Sequence, residues 1–242
     1  MEFLFFAACG KHSPVTTDDM ASKFPLKRIG VLGDIHCEDI RLAAALHFFR
    51  TQNLDMVCSV GDIVDGPGDP NRTIELLDQF NVVTVRGNHE RWLLKNEMRG
   101  LPEAQTRFDF DALTWVYLNR LPTELEFETV SGWMLLTHGL RGDDMGGVWP
   151  FDDSMTLQSN YPLWMMVASK KFSFVVNGHT HRRLVRSFGE LTIINAGTLY
   201  RKHDPCFCVA DFEQLTVQYF NVDAEGNIVT AEQFPLPVKT FL

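Results

Sequence analysis

The chain has 242 residues, 45% of them hydrophobic and 22% charged, and a formal net charge of −9. That composition is ordinary for a globular protein, and a chain of this length can bury roughly 70–75% of its unfolded surface. The acidic balance argues against broad binding to polymeric nucleic acid or to an anionic membrane, both of which want a basic face. It leaves room for a pocket built around metal ions, whose charge the sequence does not count.

In chain order, residues 1–24 read as an N-terminal extension expected to be disordered, with one domain over 25–242. The opening MEFLFFAACG is apolar and ends near Cys9, like a lipoprotein signal. It lacks a basic start, carries Glu2 and is short for a signal peptide, so an extension fits better. Met20, followed by ASKFPLKRIGVLGD, is an alternative start. The apolar runs RIGVLGD (28–34), LDMVCSVGD (54–62), NVVTVRGN (81–88), WMLLTHG (133–139) and FSFVVNGH (172–179) read as central strands buried on both faces. Between the first of them, DIRLAAALHFFR (39–50) places Leu42, Leu46 and Phe49 on one helical face. DPNRTIELLDQF (69–80) does the same with Ile74, Leu77 and Phe80 behind an early Pro70. After GNHE (87–90) a further helix is expected over Arg91–Leu94, anchored by Trp92. Beyond residue 185 three segments read as antiparallel strands, with turns at Phe188-Gly189 and Glu225-Gly226-Asn227. The pattern predicts an α/β fold that begins parallel and ends antiparallel.

The five cysteines, Cys9, Cys37, Cys58, Cys206 and Cys208, form no disulfide framework and point to a reducing compartment, the cytoplasm. No apolar run approaches the 18 or more residues of a membrane span.

Ligands of open α/β sheets sit beyond the carboxyl ends of the strands. Here those ends carry Asp34 and His36, Asp62 and Asp65, Asn88 and His89, His138, and His179 and His181. Each alone has an ordinary explanation: Asp or Asn after Gly is a turn residue, and a lone His is a hydrogen-bonded structural group. Five consecutive strand ends carrying such groups need a shared one. Carboxylates mixed with imidazoles suit Mn, Fe, Zn, Co or Ni better than Ca or Mg. The donors are too many for one tetrahedral site and enough for two bridged ions. Cys37 is expected to point away from His36 into the core.

GDIH (33–36), GDIVD (61–65), GNHE (87–90), THG (137–139) and GHTH (178–181) resemble, in order and spacing, the five motifs of calcineurin-like metallophosphoesterases. NAG (195–197) resembles the turn that follows them. The resemblance implies a four-layer α/β/β/α sandwich of two mixed sheets flanked by helices. It implies hydrolysis of phosphate esters, diester or monoester, by a hydroxide between two divalent or trivalent ions, with Mn favoured over Fe, Zn or Ni. Asp34, His36 and His181 would hold one ion, Asn88, His138 and His179 the other, and Asp62 would bridge them. A tight turn would let His179 and His181 meet different ions. His89 would serve the leaving oxygen as a catalytic acid, oriented by Asp65.

Position 66 departs from the protein Ser/Thr phosphatase branch, which has an Arg there; this chain has Gly66. Arg86 is a structural residue or a substrate contact. Arg141 is the candidate substrate-binding residue, with a solvated loop Arg as the alternative. The stretch 141–166, with Trp149, Phe151 and Trp164, is the expected specificity region. Its aromatics would stack a nucleobase or build a satellite core, and the core is the preferred reading. The expected partner is a small phosphorylated substrate or a phosphoprotein. A Ser/Thr protein phosphatase and a dinucleoside polyphosphate hydrolase are the alternative enzymes. A non-catalytic scaffold should have lost ligands, and this chain keeps them.

Overall fold

Alternation of apolar side chains decides which way each strand faces in the computed structural model, which describes residues 25–237. The expected extension over 1–24 lies outside the described residues. The first part alternates as expected: β1 (Arg28–Leu32), α1 (Asp39–Arg50), β2 (Met56–Ser59), α2 (Pro70–Gln79), β3 (Val83–Thr84) and α3 (Asn88–Lys95). Then come α4 (Ala112–Arg120), a hairpin of β4 (Glu124–Thr129) and β5 (Gly132–Thr137), α5 (Ser154–Gln158), α6 (Tyr161–Ser169) and β6 (Phe174–Asn177). A second hairpin, β7 (Arg183–Phe188) and β8 (Leu191–Ala196), precedes β9 (Cys206–Asp211), β10 (Thr216–Val222) and β11 (Ile228–Pro235).

The strands form two mixed sheets, ordered β11-β10-β9-β1-β2-β3 and β4-β5-β6-β8-β7. β1, β2 and β3 pair in parallel, as do β5, β6 and β8. The C-terminal strands pair antiparallel at β7–β8, β9–β10 and β10–β11. They divide between the sheets: β7 and β8 complete the second, and β9 returns to the first beside β1.

Three apolar clusters glue four layers. Ile29, Val31, Cys58, Met134, Val176, Ile194 and Cys208 meet between the sheets. Their sequence neighbours point outward, as the two-residue period of a strand requires. Leu32 and Phe207 meet Leu42 and Leu46 of α1 and Leu77 of α2 on one outer face. Leu135, Val175 and Ile193 meet Leu163 and Met166 of α6 on the other. Both faces of each sheet are therefore dry, which explains the near-continuous apolar runs. α2 starts where the sequence placed it, because the Asp69 carboxylate accepts the N–H groups of Asn71 and Arg72 at 2.9 and 3.1 Å.

Three expectations are corrected here. α3 begins at Asn88 rather than Arg91, and its buried anchor is Leu93; Trp92 is half-buried. β3 is only two residues long, since it pairs with β2 at Val83 and Thr84 before the chain bends. The aromatics of the stretch 141–166 do not build the satellite core expected of them. That stretch contains α5 and α6, and its aliphatic Val148, Leu157, Leu163 and Met166 build the outer cluster, while Phe151 is exposed.

One side chain ties the sheets together at the ligand-bearing end. Tyr219 of β10 is fully buried, and its hydroxyl lies 2.7 Å from the carbonyl of Asn195 in β8 and 3.1 Å from that of Leu184 in β7. Tyr219→Phe removes the hydroxyl and keeps the ring. It should lower unfolding stability by about 1–2 kcal/mol in a denaturant titration. An unchanged midpoint would show that the sheets are held by apolar packing alone.

Candidate metal centre

The carboxyl ends of β1, β2, β3, β5 and β6 open onto one edge of the sandwich. The loops there bring the sequence-selected residues together. Ligand-type atoms of Asp34, His36, Asp62 and His181 all lie within 4.8 Å of one another. The Nε2 atoms of His36 and His181 face each other at 3.2 Å. Beside them, Asn88 Oδ1 lies 2.8 Å from His138 Nε2 and 3.1 Å from His179 Nδ1. Asp62 Oδ2 stands between the two groups, 3.2 Å from His138 Nε2 and 3.9 Å from His36 Nε2.

The backbone is bent to make this possible. His36 (φ 45°), Asp62 (47°), Asp65 (60°), His179 (65°) and His181 (56°) all occupy the left-handed region. Each such residue costs on the order of 1 kcal/mol or more, and Asp, Asn and His tolerate the region better than most. The turn at His179–His181 sends the two rings to different partners. Cys37 is also left-handed (φ 53°), so the segment after β1 turns rather than running on as a strand. The thiol is still in the core, where burial pushes it up to about 12. At Gly87 a Cβ would lie 2.3 Å from Asp62 Oδ1, so only glycine lets α3 approach that carboxylate.

Hydrogen bonds fix each donor's orientation. The N–H of His179 donates to Asp34 Oδ1 at 3.0 Å, and the N–H of His89 to Asp62 Oδ1 at 2.9 Å. His36 Nδ1 faces the carbonyls of Val64 and Asp65, and His138 Nδ1 faces that of Val60 at 2.8 Å. Those bonds place the Nδ1 proton on the protein side and aim Nε2 into the cluster. Asp34 Oδ2 is buried with no hydrogen-bond partner. An orphaned carboxylate oxygen beside imidazoles fits a cation, and a donor set of carboxylate, imidazole and amide oxygen without thiolate fits a first-row transition metal.

Charge in the metal-free cluster is concentrated on one pair. Burial opposes protonation of His138, but Asp62 and Asp34 outweigh it and push its pKa up to about 10. Asp62 keeps its negative charge: burial works against it, and the neighbouring histidines hold its pKa well below the usual carboxylate value. Burial raises Asp34 to about 7. Burial, reinforced by His36, drops His181 to about 2, so it is neutral.

His89 lies beside the first donor group, its ring edge-on to that of His36 with centroids 4.8 Å apart. Its Nδ1 lies 2.8 Å from Asp65 Oδ2, and its Nε2 looks toward Asp62 Oδ2 at 4.0 Å.

The sequence profile of calcineurin-like phosphoesterases matches residues 27–183, well over half of the chain. The chain belongs to the calcineurin-like phosphoesterase family. It is similar to an uncharacterized protein of Methanocaldococcus jannaschii, 22% identical over 191 residues that cover 75% of this chain and 73% of that one. Its fold is similar to that of a metallophosphoesterase from Sphaerobacter thermophilus, with a TM-score of 0.61, 20% identity, and coverage of 81% of this chain and 88% of that one. It is also similar to a hypothetical protein from Pyrococcus horikoshii, with a TM-score of 0.67, 15% identity and 88% of each chain covered.

Within this family frame the structure brings nine of the ten sequence-selected residues together and leaves Arg141 out. The Arg141 guanidinium lies over the Phe172 ring and 3.8 Å from both Glu124 and Glu126, on the β4 side of the second sheet.

Four contributors were missed. Glu90 is buried and accepts the N–H groups of Asp62, Ile63, Val64 and Gly87 at 2.7–3.1 Å. Arg99 grips both oxygens of Asp65 at 2.8 and 2.9 Å, and Gln105 exchanges hydrogen bonds with the same residue. His203 places its Nδ1 2.7 Å from His181 Nδ1. Of these only Glu90 had a signal, its place three residues after the glycine that caps α3.

Two outcomes follow for the metal-free protein. Coordination requires neutral imidazole, so metal uptake must displace a proton from His138. Calorimetry in buffers of different ionisation enthalpy should show proton release, and affinity should fall as pH is lowered. Because the folded pKa of His138 lies above its ordinary 6.5, its stabilisation is complete below pH 6.5 and is lost as pH rises toward about 10. A thermal melt of the metal-free protein that is flat across that window would contradict the His138–Asp62 pairing. In a separate test, Glu90→Gln turns an amide toward backbone N–H donors. It should cost about 2–4 kcal/mol and weaken metal retention together, read by melting and by metal analysis.

Proposed function

We propose that this phosphoesterase-family chain is a hydrolase of small phosphate esters that works with two transition-metal ions, manganese being favoured. Asp34, His36 and His181 would hold one ion, Asn88, His138 and His179 the other, and Asp62 would serve both. Bound there, the ions would supply Lewis acidity at the phosphoryl oxygens and a water of lowered pKa.

The observation that carries the reading is the pairing of the His89 ring with Asp65. The ring sits at the edge of the donor set and is turned by the carboxylate behind it. Burial lowers the pKa of His89, but the Asp62 and Asp65 charges outweigh it and raise the value. A protonated Nε2 would donate to a leaving oxygen lying over the cluster. Asp65 holds Nδ1, and Arg99 and Gln105 hold Asp65, so the ring has one orientation. Such a pairing is a general-acid arrangement.

Gly66 weighs against a Ser/Thr protein phosphatase. A Cβ at that position would lie 1.7 Å from the carbonyl oxygen of His36, so this backbone has no room for the arginine of that branch. The buried free thiols of Cys37, Cys58, Cys206 and Cys208 support a reducing, cytoplasmic setting. Among the described residues no helix is long and apolar enough to cross a membrane.

The test is metal analysis combined with turnover. Purified protein loaded with Mn²⁺ should hydrolyse a p-nitrophenyl phosphate ester. His89→Asn should retain the metal and lower kcat by about 10²–10⁴-fold. Loss of metal from that variant would place His89 among the ligands and overturn its role as the acid.

A further inference from the structure

Two features around the centre bear on which ester it takes. The first is aromatic. Trp92, Trp149 and Tyr200 stand half-buried around the histidines. Ring centroids lie 4.8 Å apart for Trp92 and His89, 6.4 Å for Trp149 and His179, and 5.1 Å for Tyr200 and His36. None of the three rings belongs to the apolar clusters that join the layers. Trp149 is nonetheless held firmly. The backbone N–H of Trp149 donates to the Asp152 carboxylate at 2.8 Å, and the Arg186 guanidinium of β7 donates to the backbone carbonyls of Trp149 and Asp152. An indole carried on that anchored backbone beside a polar centre, half open to water and outside the apolar clusters, offers a flat π-face to a planar group.

The second feature is charge. Six basic side chains on the loops around the centre already face carboxylates, while Arg86 has no ion pair among the described residues. Arg91 pairs with Asp144, Arg99 with Asp65, Arg182 with Asp204, Arg201 with Glu38 and Lys202 with Glu103. Arg141 is turned to Glu124 and Glu126. A phosphomonoester arrives as a dianion and needs more compensating charge than a diester, which carries one negative charge.

We propose that the substrate is a phosphodiester bearing a nucleoside, with Trp149 as the stacking face for the base. The proposal rests on the phosphoesterase reading and narrows it. Hydrolysis adds water across one P–O bond: a new P–O bond forms, the bond to the departing alcohol breaks, and that alcohol leaves with a proton. The products are a phosphomonoester and an alcohol.

Three esters with the same leaving group test it on the Mn²⁺-loaded full chain: thymidine 5′-(p-nitrophenyl phosphate), methyl p-nitrophenyl phosphate and p-nitrophenyl phosphate. The expected order of kcat/KM is nucleoside diester, methyl diester, monoester, with the first ahead of the second by about 10-fold, the scale of one base stacked on an aromatic ring. Trp149→Ala should collapse that ratio, and Trp149→Phe, which keeps a flat ring, should retain most of it. A ratio unchanged in Trp149→Ala, or lost equally in both variants, overturns the stacking role. Preference for the monoester overturns the proposal and leaves the phosphoesterase reading standing. Arg86, beside Gly87, checks the charge argument: if Arg86→Ala removes monoester turnover selectively, the centre does hold a free cation for a dianion, and the proposal falls. No turnover of any of the three overturns the phosphoesterase reading and this one with it.

Discussion

A single buried carboxylate sets the geometry on which the centre depends. Glu90 has no exposure to solvent, and its two oxygens take four backbone N–H groups, three from the loop after β2 and one from the start of α3. A buried carboxylate without such partners would be costly, and four charge-assisted bonds offset that cost. In return two loops from different strands acquire one relative position. Asp62 rides on the first loop, Asn88 and His89 on the second. The helix also presents its positive end to the same carboxylate. On the far side of Asp62, Gln105 and Arg99 lock Asp65 in the same way, so the acid candidate and the central carboxylate belong to one rigid unit.

Around that unit the chain carries conformational strain where the chemistry is. Five of the clustered residues are left-handed, and the four-layer packing over-determines them. The parallel strands of both sheets end at the same edge, and Tyr219 and the bridge between Thr198 and Asp34 link the sheets there. Asn195 donates to the carbonyl of Gly178 at 2.5 Å, which links the NAG turn to the His179–His181 turn beside it. The strain therefore sits on a dry, interdigitated scaffold rather than on a surface loop free to relax.

Electrostatics suit the centre to a cation. Without metal, a protonated His138 shares the buried space with the Asp62 carboxylate, and Asp34 keeps an oxygen with no partner. Those features are poor for a permanent core and well matched to a cation that replaces the proton. Histidines that donate through Nδ1 to backbone carbonyls keep the other nitrogen facing inward.

The sequence by itself determined the strands' burial, the two long helices of the first half and nine of the ten candidate residues. These depend on local pattern: a two-residue or 3.6-residue apolar period, and polar groups placed directly after glycines at strand ends. It could not determine what those ends meet, because contacts such as Arg99 with Asp65, His203 with His181 and Arg141 with Glu124 join positions far apart in the chain whose spacing carries no signal. The division of the C-terminal strands between two sheets is likewise a tertiary fact, since a strand's sequence specifies its dry faces but not its neighbour. Trp92 and Trp149 show the same limit. Indoles next to polar motifs read as core anchors by composition, and only the packing of four layers, which fills the core with smaller aliphatic residues, leaves them beside the histidines.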